Sequence, residues 1–67
     1  MSKAHCIEME LREAEHSASL GLEGASKRHV WTAELLADTS QEKRVVSNAR
    51  RRVKRFERAR AQRENRR

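Results

Sequence analysis

Apolar residues recur at helical spacing in three stretches of the chain. Ala4, Ile7, Leu11, Ala14 and Ala18 step by three and four residues, which sets them on one side of a helix. Alanine at several of those positions permits a close neighbour. Ser2 stands where a cap belongs, and Glu8 precedes Arg12 by four residues, the favourable order for an ion pair. Gly21 predicts the stop of this helix. Gly21-Leu22-Glu23-Gly24 reads as a loop and Ser26 as the next cap, so a second helix is expected from Lys27 onward. Trp31, Leu35 and Leu36 supply its apolar part, and a lone Trp beside Val30 and these leucines is expected as a core anchor. Further on, Val46, Ala49, Val53 and Phe56 step by three, four and three, with Val45 widening the stripe. The pattern ends after Ala61, and residues 62–67 are expected to fray. No internal repeat is present.

The join between the second and third stretches governs the architecture. In Asp38-Thr39-Ser40-Gln41-Glu42, Thr39 with Glu42 fits a capping box, and Asp38 with Gln41 fits it more weakly. The same residues also fit inside one continuous helix, and continuity through 38–40 is the favoured expectation. A first helix of about 18 residues is roughly 27 Å long and, folded back, covers residues 26–43. The stripe from Val45 to Phe56 then lies beyond its reach and needs another surface. In a continuous helix that surface is a second copy or a different protein. With a break at 38–40 it is the rest of the same chain. The expected fold is all-α: a helical hairpin whose second arm is longer and basic, with three helices if 38–40 breaks. Residues 1–43 form its acidic hairpin region and 44–67 its basic arm. Self-association into a homodimer is expected through Leu35, Leu36, Val46, Val53 and Phe56.

Size points the same way. A chain of 67 residues makes one small domain and leaves no room for a large enzyme fold with a deep pocket. Burying a large apolar side chain is worth roughly 2 kcal/mol, and ordering each residue costs roughly 1.5 kcal/mol, so little surplus remains. Chains this small usually add a metal, a disulfide or a second copy. Cys6 is the single cysteine, so no internal disulfide forms. No apolar run approaches the roughly 18 residues of a membrane span, and no basic leader precedes an apolar block. A cytoplasmic setting without membrane association is expected.

Charge changes the picture most. Residues 1–42 carry eight acidic and four basic side chains, a net of −4, whereas residues 43–67 carry twelve basic and two acidic, a net of +10. Such an asymmetry points to a polyanionic partner for the basic half. On a helix, Ala49, Val53 and Phe56 take one face, and the remaining faces carry Arg50, Arg51, Arg52, Lys54, Arg55 and Arg58. Arginine presents a planar fork of donors that matches phosphate, and it stacks on unpaired bases.

The run Arg50-Arg51-Arg52, followed by Arg55 and Glu57, resembles the short arginine-rich helices of lambdoid phage N-type antitermination proteins. Retroviral Rev-type RNA-binding helices are similar in composition. The likeness covers residues 48–61, and it implies an RNA hairpin as partner. In the N family this segment lies near the amino end of a largely disordered chain, whereas here it follows a patterned helical region. The small size and composition also look like those of phage or mobile-element accessory proteins.

Other chemistry is weaker. His5 and Cys6 are adjacent and point about 100° apart on a helix, and His16 is three turns away, so a four-ligand zinc site is not expected. Glu8, Glu10, Glu13 and Glu15 have no pocket to work in, and they are better placed to pair with basic residues of the tail or of a second copy. A helix-turn-helix has the right order of elements, but its turn lacks glycine and its second helix is arginine-rich on most polar faces. The expected function is that of a small non-enzymatic regulatory protein that binds nucleic acid, RNA ahead of DNA. Arg50, Arg51, Arg52, Lys54, Arg55 and Arg58 would carry the binding, with no metal, cofactor or small-molecule substrate. The alternative is an adaptor or inhibitor that docks a host protein through its helical faces and lays its basic arm on an acidic surface.

Overall fold

A computed structural model describes residues 2–65 and contains three helices, α1 (Lys3–Ser19), α2 (Glu23–Leu36) and α3 (Ser40–Asn65). Ser2 caps α1: its hydroxyl accepts from the His5 N–H at 3.2 Å. The helix closes in a Schellman turn. The Leu22 N–H reaches the Ser17 carbonyl at 2.8 Å and the Gly21 N–H reaches that of Ala18 at 3.0 Å. Gly21 adopts a φ of +80°, the left-handed conformation that this turn requires.

Helix α2 starts earlier than the sequence predicts. It begins at Glu23, directly after the turn, and Leu22 at its N-cap makes no side-chain cap bond. The charge of Glu23 suits the positive end of the helix dipole. Ser26 is therefore not a cap. It lies fully buried inside α2, and its hydroxyl donates to the Ala14 carbonyl oxygen of α1 at 3.0 Å.

The expected continuous second arm is broken. Ala37 turns to an extended conformation (φ −78°, ψ 116°), and α3 starts anew at Ser40. The capping box closes as its sequence allows. The Thr39 hydroxyl accepts from the Glu42 N–H at 3.1 Å. Glu42 Oε1 in turn accepts from the N–H groups of Thr39 and Asp38, each at 3.2 Å. Lys3 pairs with Asp38 and, at 3.3 Å, with Glu42, which ties the start of α1 to this turn. At the other end α3 continues through residues 62–65, past the end of the apolar stripe, and the Arg66 and Arg67 of the expected frayed end lie outside the described residues.

The break sends α3 back along α1. Lys3 meets Glu42, Glu15 meets Arg52, and Arg60 lies over Gly21, so α1 and α3 run parallel with α2 antiparallel to both. At about 1.5 Å per residue α3 alone is roughly 39 Å long, which accounts for the 45 Å long axis of the bundle. Ile7, Leu11, Ala33, Ala37, Val46 and Ala49 form one buried cluster with Leu36 packed against it, and Ala14, Ala18, Val30 and Val53 form another.

Two expectations about apolar residues fall with the continuous arm. Val46 and Val53, assigned to an interface between copies, are only 3% and 4% exposed within a single chain. The α3 stripe is covered by its own bundle from Val46 to Val53, whereas Val45 and Phe56 at its edges stay 43% and 39% exposed. Trp31 is not a core anchor: it is 61% exposed, and Leu35, one turn on, is 68% exposed. The face of α2 that meets α1 is instead Ser26, Val30, Ala33 and Ala37, small residues that let the two backbones approach closely.

The turn, the caps and the helices predict three outcomes. Gly21→Ala forces a side chain into the left-handed region and should cost about 1–2 kcal/mol in urea unfolding. Gly24, a helical residue with open space around it, should accept alanine with a gain of about 0.5 kcal/mol. Hydrogen bonds from the Asp38 and Thr39 N–H groups, aided by the Lys3 ammonium, hold the Glu42 carboxyl down at about 2, against an ordinary 4.5. The folded state thus keeps Glu42 ionised to lower pH than the unfolded chain does. Its contribution is complete above about pH 4.5 and is lost as pH falls toward about 2. Thermal melts of wild type and Glu42→Gln should differ near neutrality and converge across that acid window.

Candidate nucleic-acid interface

With Val46, Ala49 and Val53 turned into the bundle, the opposite side of α3 is fixed by helical geometry. Arg44, Asn48, Arg51, Arg55, Arg58 and Gln62 step by four and three along that side, and all are exposed. From Arg44 to Arg58 the row rises about 21 Å. Lys54 flanks it on the side facing α2. Arg51, Lys54, Arg55 and Arg58 together line one shallow depression of about 220 Å³.

The six cations read from the sequence therefore divide. Arg51, Lys54, Arg55 and Arg58 lie together, and among the described residues none of them pairs with a carboxylate. Arg50 and Arg52 are engaged within the bundle. Arg52 Nε donates to Glu15 Oε1 of α1 at 2.6 Å, with a longer second contact of 3.5 Å between Nη2 and Oε2. Arg50 pairs with Glu34 of α2. Part of the acidic surface of α1 and α2 thus anchors the basic helix and orients it, leaving the outward row free. Arg44 precedes the arginine-rich run that begins at Asn48, but its spacing of seven from Arg51 sets it on the same row.

A groove separates α2 from α3. One section of about 310 Å³ is lined by Lys27, Val30, Trp31, Glu34, Arg50, Val53, Lys54 and Glu57. A second of about 240 Å³ continues past Glu34 and Arg50 toward Lys43, Val46 and Ala37. The Glu34–Arg50 pair bridges the groove between the two sections. Of the expected interface residues, Leu35 remains exposed, Phe56 is 39% exposed one turn beyond Arg52, and Leu36 is half-buried against the core.

Elsewhere, His29 Nδ1 lies 2.7 Å from Glu10 Oε2, linking α2 to α1. Cys6 is a half-buried free thiol. Among the described residues no three His, Cys, Asp or Glu side chains converge on a position where they would hold a metal. Likewise, no described helix is long and apolar enough to cross a membrane. No protein-family model matches the chain, and neither a curated protein nor a solved structure matches it.

The division between engaged and free cations can be measured as stability. Arg50→Ala and Arg52→Ala each remove a partly exposed ion pair and should cost up to about 1 kcal/mol, less at high salt. Arg51→Ala and Arg55→Ala relieve like charges at helical neighbour spacing, and each should be neutral or stabilise by a few tenths of a kcal/mol, about 0.2–0.5. Urea titrations of the four variants at low and high salt check this pattern.

Proposed function

We propose that this protein is a non-enzymatic regulatory protein that binds nucleic acid through the outward face of α3, RNA ahead of DNA. The observation that carries this reading is the group formed by Arg51, Arg55 and Arg58 of that row with Lys54 at its flank, four cations gathered on one depression without carboxylate partners among the described residues. Like charges so close repel one another, and a polyanion laid along the row relieves that repulsion. Arginine forks grip phosphate oxygens bidentately, and a rigid helix holds them at fixed intervals. The arginine-rich composition and its likeness to hairpin-binding phage helices favour RNA. An anionic lipid surface fits less well, because an interfacial helix needs a free apolar face and that of α3 is buried from Val46 to Val53.

An adaptor role is the second reading, and the exposed pair Trp31 and Leu35 on α2 favours it. There the apolar pair would dock a host protein while the basic helix lies on an acidic surface. Binding to nucleic acid separates the two readings.

Fluorescence anisotropy with an RNA hairpin, single-stranded RNA and duplex DNA should show binding at about 0.1 M salt, weakening steeply as salt rises. The triple change Arg51→Ala, Arg55→Ala, Arg58→Ala should abolish it, and each single change should lower the slope of log K against log salt by about 1. Wild-type protein that binds none of these ligands would overturn the nucleic-acid reading and leave the adaptor.

A further inference from the structure

Trp31 is the single tryptophan of the chain, and it stands in water on the wall of the α2–α3 groove. An exposed indole next to cations is the arrangement on which unpaired bases stack. Here the cations are Lys27, one turn before Trp31 on α2, and Lys54, across the groove on α3. Val30 and Val53 give the groove an apolar floor. Lys54 also lines the depression that holds Arg51, Arg55 and Arg58, so the cationic row and the mouth of the groove share a residue. Two carboxylates belong to the same lining. Glu34 is neutralised by Arg50, and Glu57 lies one turn beyond Lys54.

We propose that the groove accepts an unpaired nucleobase, stacked on the Trp31 indole, while the flanking phosphates are held by Lys54 and Lys27. A nucleic-acid backbone tracking along Arg58, Arg55, Arg51 and Lys54 arrives at the groove mouth, where one base turns inward. A paired base has both faces covered by its neighbours in the helix and cannot do this. The ligand class is therefore single-stranded or looped nucleic acid. The inference rests on the reading of α3 as the phosphate-binding element.

The single tryptophan supplies the readout. Its emission is followed during titration with a short single-stranded RNA of mixed sequence, the same RNA annealed to its complement, and inorganic polyphosphate, with binding of each ligand measured separately. Single-stranded RNA should quench Trp31, while polyphosphate should bind and leave the emission unchanged. Trp31→Ala should weaken single-stranded binding by about tenfold and leave binding to the duplex and to polyphosphate intact, and Trp31→Phe should restore much of the loss. Binding without quenching, or an equal loss for single strand and duplex in Trp31→Ala, would overturn the stacking proposal and spare the phosphate-binding role of α3. Absence of binding to every ligand would overturn both. Emission that shifts with protein concentration alone would mean that a second copy covers this face, and it too would overturn the proposal.

Discussion

The seam between α1 and α3 is the constraint on which the rest of this structure depends. Val46, Ala49 and Val53 can reach Ile7, Leu11, Ala14 and Ala18 only because the chain reverses between Leu36 and Ser40. Without that reversal the third apolar stripe would project beyond the hairpin and the cationic face would have no fixed orientation. With it, burial of one edge of α3 dictates what the other edge presents. The Thr39–Glu42 box, locked to Lys3 at the start of α1, sets the register of the seam from its first turn.

The core that results is small in the literal sense. Its most tightly enclosed residues are Ala14, Ser26, Ala33 and Ala49. Small side chains let helices approach closely and gain from dispersion contacts, but they bury little apolar area. Charge supplements them. The acidic α1 and the charge-balanced α2 lie beside the basic α3, and Glu15–Arg52 and Glu34–Arg50 cross its two boundaries. Such partly exposed pairs are individually weak. Their larger effect is orientation, since they turn Arg50 and Arg52 toward the bundle and leave the opposite row of α3 to an outside anion.

Much of this was legible in the residues. The Ser2 cap and the Gly21 stop stand where their spacing put them, and so do the two stripes except at their ends, where Ala4 and Phe56 are exposed. The break at 38–40 was legible too, in the reciprocal hydrogen bonds that Thr39 and Glu42 can make, but continuity was preferred because propensity alone does not forbid it. The inward face of α2 was misjudged through size. Trp31 and Leu35 dominate that stretch in hydrophobicity, whereas the stripe that packs is Ser26, Val30, Ala33 and Ala37, whose regular four-three-four spacing matches the small residues of α1. Which arginines would be engaged and which free was not legible, because it depends on the rotation of α3 against Glu15 and Glu34, a tertiary fact with no local signature.

The central claim is that α3 docks on α1 and α2 of its own chain and so presents its cations outward. Its most direct test is an isotope-filtered NMR experiment on a mixture of labelled and unlabelled protein. Methyl contacts between Ile7 and Val46, and between Val30 and Val53, should arise within one chain and persist on dilution. Contacts seen only between differently labelled chains, or absent altogether, would contradict the account.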